Sequence, residues 1–196
     1  FLASHVKAER AKNPNVLLVD AGDTFQGNAF AQYFRNATPN PIAEGLNLLG
    51  YDAFTLGNHE FNFGPTTFAT MLGQLDMPIL GALNLDDDGS YGFINDNVED
   101  YINFDVNGLK VTIFGLTNPR VYRYELPTNI PGLTFLSGLD TGFAAVPEIL
   151  ADENPDLLIG LTHMGYAPYA DEIDSDVLLA EGVAGIDVLI GGHSHT

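Results

Sequence analysis

Four apolar stretches that predict buried strands each end in a short segment containing Gly with Asp, Asn or His. The predicted strands are residues 16–19, 52–56, 157–161 and 188–190. The segments that follow them are Gly22-Asp23, Gly57-Asn58-His59-Glu60, Thr162-His163 and Gly191-Gly192-His193-Ser194-His195. Because the carboxyl ends of parallel strands meet at one crevice in an open α/β sheet, we expect these polar side chains to face one another.

These side chains offer the oxygen and imidazole nitrogen donors that divalent transition metals bind. Taken singly, each signal has an ordinary explanation. Asp23 after a Gly can accept backbone amides in a turn, and a lone His163 is more often a hydrogen-bonded core histidine. His193 and His195 stand at alternate positions, so an extended backbone projects them to the same side. The metal-site hypothesis therefore depends on the whole set and its position at strand ends.

Strand-like and helix-like segments alternate along the chain, which predicts an α/β fold with a largely parallel sheet. Asn107-Gly108 between two apolar runs predicts an antiparallel hairpin of residues 101–106 and 110–116. The acidic, polar stretch 84–99 predicts a surface loop. Helices are expected at residues 2–12, 42–49, 65–71, 143–150 and 176–181.

The charge excludes several classes of partner. Seven Lys and Arg against 26 Asp and Glu give a formal net charge of −19, and such a surface repels nucleic acid polymers and anionic lipid. A phosphate ester is repelled too, unless bound cations reverse the local field. There is no Cys, which excludes thiolate metal sites, and no apolar run approaches the ~18 residues of a membrane span.

The four strand-end segments resemble, in order and context, the motifs of the calcineurin-like metallophosphoesterases. The stretches 20–27 and 191–196 are similar to the 5′-nucleotidase branch, which includes UDP-sugar hydrolases and 2′,3′-cyclic-nucleotide phosphodiesterases. The resemblance implies a two-sheet αββα sandwich, mixed but mostly parallel, with residues 1–196 forming a catalytic domain. The family's Asp-x-His motif is missing, so we expect its strand to precede Phe1 and a carboxy-terminal substrate domain to follow Thr196.

Carried over by position, the resemblance implies two divalent metal ions, whether zinc, manganese, cobalt or iron. Asp23 would bridge them, Asn58, His163 and His193 would complete one site, and His195 would belong to the other. The implied reaction is hydrolysis of a phosphoric ester by in-line attack of a water held between the two cations. With half of the second site missing, we expect this chain to hold one cation firmly and another weakly.

The resemblance assigns His59 a catalytic role beside the phosphoryl group, with Asn62 as its partner. Many 5′-nucleotidases have Asp where this chain has Asn62, and a neutral amide orients the imidazole with less effect on its charge. The sequence Asn-His-Glu-Phe-Asn is also similar to the cyclic-nucleotide members of the branch. Loop tyrosines such as Tyr166 and Tyr169 usually pack against a core, and Tyr166, three residues from His163, is the candidate among them to line the site.

The main expectation is therefore a metal-dependent hydrolase of small phosphate esters, most of all nucleotides, of the 5′-nucleotidase type. A 2′,3′-cyclic-nucleotide phosphodiesterase with 3′-nucleotidase activity is the alternative within the branch. The alternative of another class is an inactive phosphate- or metal-binding domain, which the missing motif favours. We expect weak hydrolysis or none by this chain alone, and an extracytoplasmic location, periplasmic or secreted.

Overall fold

The computed structural model describes residues 1–167 and 174–196. Its helices are α1 (Leu2–Lys12), α2 (Ala29–Phe34), α3 (Pro41–Leu49), α4 (Gly64–Leu72), α5 (Ile94–Asn97), α6 (Val121–Tyr124), α7 (Gly138–Glu153) and α8 (Asp176–Gly182), with 3-10 helices at His59–Phe63 and Pro127–Asn129. Its strands are β1 (Val19–Asp20), β2 (Ala53–Thr55), β3 (Ile79–Leu80), β4 (Leu85–Asp87), β5 (Val98–Glu99), β6 (Tyr101–Val106), β7 (Leu109–Leu116), β8 (Leu133–Phe135), β9 (Leu157–Thr162) and β10 (Val188–Gly191).

Within the described residues, the strands form two four-stranded sheets and one small ribbon. The first sheet has the order β1-β2-β3-β5, with every pair parallel. The second has the order β10-β9-β7-β6, parallel except for the hairpin that joins β6 to β7. The ribbon pairs β4 with β8 in antiparallel fashion. The predicted mixed, mostly parallel architecture with an antiparallel hairpin is confirmed.

Apolar side chains fill three layers, as the αββα sandwich requires. Between the two sheets lie Ala53, Leu80, Val111, Ile113, Ile159 and Leu161. The outer face of the first sheet packs on α3 and α4, through residues such as Leu46 and Phe68. The outer face of the second packs on α7 and α8, through residues such as Val146 and Leu179. The side chains of successive strand residues therefore point into opposite layers, because a β-strand is pleated.

Local sequence signals explain where the elements begin and end. The Asn40 side chain accepts the Ile42 backbone N–H at 2.9 Å and so caps α3. Gly50 ends that helix in the left-handed conformation, with φ of 66°. Asn107 and Gly108 have φ of 56° and 88°, which is the twisted two-residue turn that the hairpin prediction required.

The prediction that residues 84–99 form a surface loop is wrong in part. Leu85, Ile94 and Val98 are buried, and this stretch contains β4, α5 and β5. These elements could not be recognised in the sequence because most of the stretch is polar or acidic. Its few apolar residues anchor the short strands, while residues such as Asp86 face solvent. The strand predicted at residues 16–19 is also shorter than expected, since its regular pairing begins at Val19.

No helix within residues 1–167 and 174–196 has the length and apolar character that crossing a membrane requires.

Candidate metal centre

The loop after β1 and the loop after β2 are held together by one buried carboxylate. Glu60 is fully buried, and its Oε2 accepts the backbone N–H groups of Asp23 at 2.9 Å and Gly57 at 2.8 Å. Its Oε1 accepts those of Thr24 at 2.9 Å and Phe25 at 3.3 Å. Glu60 thereby fixes the backbone on both sides of the predicted ligands.

Close approach of these loops also requires glycine at position 22. Gly22 has φ of +88°, and a Cβ there would lie 2.4 Å from the backbone nitrogen of Gly57. The following Asp23 side chain accepts the backbone N–H of His59 through Oδ1 at 2.8 Å. Its second oxygen, Oδ2, is left to face the rest of the site.

His163 lies at the end of β9 with a defined ring orientation. Its Nδ1–H donates to the backbone carbonyl of Ala21, so in the neutral ring the lone pair is on Nε2. Nε2 is buried 3.0 Å from Asp23 Oδ2, yet it has no hydrogen-bond partner among the described residues. Two acceptors that face each other this closely require a proton or a cation between them.

The electrostatics of this pair follow from burial and proximity. Burial opposes the charged form of His163 while the carboxylate of Asp23 favours it, and the balance raises the pKa of His163. Burial likewise opposes ionisation of Asp23, but the contact with His163 outweighs it and lowers the pKa of Asp23. Burial, then the negative charge of Asp23, raises the pKa of Glu60 to about 6.

His193 completes the group from the loop after β10. Its Nδ1 lies 2.8 Å from Oδ1 of the buried Asn58, and its ring centroid is 5.4 Å from that of His163. The loop reaches this position because residue 192 is a glycine. A Cβ at Gly192 would lie 2.8 Å from Nδ1 of His163.

The structure thus brings together most of the predicted ligands. Asp23, His163 and His193 each present one ligand atom, and these atoms all lie within 4.8 Å of one another. Asn58 joins them through His193. His195 is exposed and lines the same cavity of 580 Å³, but it lies outside this group. Tyr166, the candidate among the loop tyrosines, also lines the cavity, whereas Tyr169 lies outside the described residues.

Several residues that line this cavity have an unusual backbone conformation. Five non-glycine residues among those described have positive φ, and three of them lie here: Asp23, His193 and His195, with φ of 62°, 71° and 56° in the left-handed region. The other two, Asn107 and Asn154, lie in the hairpin turn and at the end of α7. Such conformations cost free energy and cluster at binding and catalytic sites. Their occurrence in two separate loops that face one cavity supports a functional role for it.

The catalytic pair predicted from the sequence is also in contact. His59 Nδ1 lies 2.7 Å from Asn62 Oδ1, and the His59 backbone is tied to Asp23. Behind Asn62 lies a further carboxylate that sequence reasoning missed: the Asn62 Nδ2 donates to Oε1 of the buried Glu125. Glu125 lies in the stretch 118–136, where irregular structure offers no periodic signal.

The donor set fits a divalent cation. It combines a carboxylate oxygen, an amide oxygen and imidazole nitrogens, which suits zinc, manganese, cobalt or iron. The bond from His163 to Ala21 is the backbone anchor that metal-binding histidines commonly have on their other nitrogen. The buried Nε2 without a hydrogen bond is explained if a cation occupies the space beside it.

Fold and site together define a two-sheet α/β domain in which a group of possible cation ligands lies where strands of both sheets end. Residues 2–196 match the family model described as Calcineurin-like phosphoesterase, and the chain belongs to that family. It is 36% identical over 200 residues to a 5′-nucleotidase of Rattus norvegicus, and the match covers 100% of this chain and 32% of the relative.

Two further comparisons agree. The chain is 30% identical over 207 residues to a 2′,3′-cyclic-nucleotide 2′-phosphodiesterase/3′-nucleotidase of Haemophilus influenzae, covering 98% of this chain and 31% of the relative. The crystal structure of a 5′-nucleotidase precursor from Thermus thermophilus superposes with a TM-score of 0.83 at 31% identity, covering 99% of this chain and 35% of that one. The chain spans about a third of the length of these relatives.

Proposed function

We propose that this domain hydrolyses phosphoric esters of nucleotides, of the 5′-nucleotidase type, with divalent cations held by Asp23, Asn58, His163 and His193. The single observation that supports this most is the convergence of Asp23, His163 and His193, with the buried Nε2 of His163 making no hydrogen bond within the part of the chain that the structure describes. The 5′-nucleotidases among the relatives supply the substrate class. We propose that His195 contributes to a second, weaker cation site.

The bound cations would neutralise phosphoryl charge and supply an activated water. The chain's own residues prepare that site. Glu60 and the two loops fix Asp23, so its carboxylate does not reorganise when a cation enters. The Ala21 carbonyl keeps the His163 lone pair directed at the same space. His59, held by Asn62, would stabilise charge on the phosphoryl group or assist the leaving oxygen.

A second candidate is a 2′,3′-cyclic-nucleotide phosphodiesterase with 3′-nucleotidase activity. Asn62 favours it, because the Asn-His-Glu-Phe-Asn sequence is similar to that group, and the Haemophilus influenzae relative carries that name. A domain that binds metal without catalysis is the alternative of another class. Substrate comparison distinguishes the first two, and metal binding measured together with turnover distinguishes the third.

The test is metal binding by calorimetry, followed by hydrolysis of p-nitrophenyl phosphate, AMP and 2′,3′-cyclic AMP by this chain with manganese, cobalt or zinc. We expect slow, metal-dependent product release, with AMP the better nucleotide. Asp23→Asn should lose both metal binding and turnover. Asp86→Asn removes an equal charge from an exposed site on β4 and should change neither.

Each outcome decides between the candidates. Faster release from the cyclic nucleotide than from AMP would replace the 5′-nucleotidase proposal by the second candidate. A filled metal site with no release from any of the three esters, both by this chain and by a chain extended upstream through an Asp-x-His motif, would favour the non-catalytic domain. Turnover that persists with Asp23→Asn would overturn the proposed site itself.

A further inference from the structure

The buried carboxylate behind the His59 and Asn62 pair has no role in the chemistry proposed above. Glu125 is 9% exposed and follows α6. Its Oε1 accepts the side-chain N–H of Asn62, and its Oε2 accepts Nδ2 of Asn129 at 3.1 Å. Asn129 Nδ2 also donates to the backbone carbonyl of Asn62 at 2.8 Å. Glu125 and Asn129, both in the stretch 118–136, therefore bind the side-chain nitrogen and the backbone carbonyl of Asn62.

The chemistry of an amide makes this contact directional. A side-chain amide has an oxygen that only accepts and a nitrogen that only donates, whereas a carboxylate only accepts. Glu125 therefore requires the nitrogen of Asn62 to face it, which leaves the oxygen of Asn62 facing His59. An amide oxygen in turn requires a hydrogen on Nδ1 of His59, so the neutral ring has its lone pair on Nε2.

We propose that Glu125 is a positioning residue that selects the Nδ1–H tautomer of His59 through the side-chain amide of Asn62. The inference deepens the proposed function, on which the role of His59 rests. It also gives a role to the asparagine at the position where the family resemblance leads us to expect an aspartate beside the histidine. Asn62 supplies the oxygen that faces His59, and the carboxylate of Glu125 on the other side of Asn62 fixes the orientation of the amide.

A purely structural role makes a different prediction. Glu125 and Asn129 also connect the stretch after β7 to the 3-10 helix at His59–Phe63. If that connection were all that mattered, loss of Asn129 and loss of the Glu125 charge would have similar consequences. A glutamine at position 125 keeps the size of the side chain but presents either an oxygen or a nitrogen to Asn62. It therefore abolishes the selection while conserving the packing.

The experiment compares Glu125→Gln, Asn129→Ala and the double variant Asn62→Asp with Glu125→Gln. Long-range ¹H–¹⁵N spectra at a pH where the ring is neutral report the tautomer of His59, assigned by the signal that disappears in His59→Gln. Turnover of p-nitrophenyl phosphate with manganese is measured in parallel. Far-UV circular dichroism checks that each variant folds.

We expect a single Nδ1–H tautomer in the unsubstituted chain and a mixture in Glu125→Gln. In that variant kcat should fall roughly tenfold, which is less than the ~100-fold or more that an acid–base group itself contributes, with KM within about twofold. The double variant should restore the tautomer and most of kcat, because a carboxylate beside Nδ1 needs no orientation. Asn129→Ala should keep the tautomer.

An unchanged tautomer in Glu125→Gln overturns the inference, whatever happens to turnover. A tautomer that Asn129→Ala shifts as much as Glu125→Gln does, or that the double variant fails to restore, also overturns it. The spectra do not depend on turnover. If a metal-loaded chain extended upstream through an Asp-x-His motif is also inactive but the tautomer responds as expected, the proposed function fails while the positioning by Glu125 stands.

Discussion

Replacing Glu60 by glutamine is expected to destabilise this domain far more than loss of a single charge does elsewhere. Its two oxygens accept four backbone N–H groups, from Asp23, Thr24, Phe25 and Gly57. In Glu60→Gln an NH₂ group replaces one oxygen, so two backbone donors, one buried and one half-buried, face another donor. Each buried donor left without a partner costs about 1–3 kcal/mol.

The sum is a loss of about 2–6 kcal/mol, a large share of the roughly 5–15 kcal/mol that stabilises a typical domain. Urea unfolding of the metal-free protein at pH 8 measures it, because the pKa of Glu60 is raised only to about 6 and the carboxylate is then ionised. Far-UV circular dichroism is the probe, since the chain has no Trp. Glu148→Gln, on the exposed face of α7, is the control. A loss within ~0.5 kcal/mol of that control would refute the reasoning, since exposed substitutions change stability by that little.

Two further predictions concern packing and protonation. Gly115→Ala should destabilise the domain by about 1–3 kcal/mol through overpacking, because a Cβ there would lie 2.4 Å from the Cβ of Leu80 in the facing sheet. Gly45→Ala, in α3 with nothing within 4 Å of the new Cβ, should instead stabilise the domain by about 0.5–1 kcal/mol. Urea unfolding measures the change in the free energy of unfolding for both variants, and changes of the same sign would contradict the packing described. Metal binding should displace the proton favoured on His163 by Asp23, so zinc affinity should fall as pH falls through the raised pKa of His163 and level off above it. Calorimetry in two buffers of different ionisation enthalpy measures the number of protons released on zinc binding. If no proton is released below the pKa of His163, the contact between His163 and Asp23 described above is contradicted.

The position of the site could be predicted from the sequence because backbone direction determines it. Asp23, Asn58, His163 and His193 follow parallel strands, and their strand ends meet at one side of the two sheets. The alternating pattern likewise predicts an α/β fold with a largely parallel sheet, whereas only the family resemblance implies two sheets with helices on their outer faces. Spacing alone groups His195 with these residues, but the left-handed backbone at His193 and His195 removes the regular alternation on which that argument relies.

What could not be predicted depends on contacts between distant parts of the chain. The tautomer of His163 follows from a carbonyl 142 positions away, and the orientation of Asn62 from a carboxylate 63 positions away. No pattern among neighbouring residues of the sequence indicates contacts between such distant positions. The short strands β4 and β5 escape prediction for a related reason. Each has few residues, and pairing with β8 and β3, not local propensity, makes them strands.

The central claim is that Asp23, Asn58, His163 and His193 bind one divalent cation. The most direct test is a crystal structure of this chain grown with zinc, with diffraction data collected on both sides of the zinc absorption edge. We predict an anomalous peak at bonding distance, about 2.0–2.2 Å, from Oδ2 of Asp23, Oδ1 of Asn58, Nε2 of His163 and Nδ1 of His193. A zinc-loaded crystal with no peak among these atoms, or with His163 Nε2 bonded to protein instead, would contradict the account.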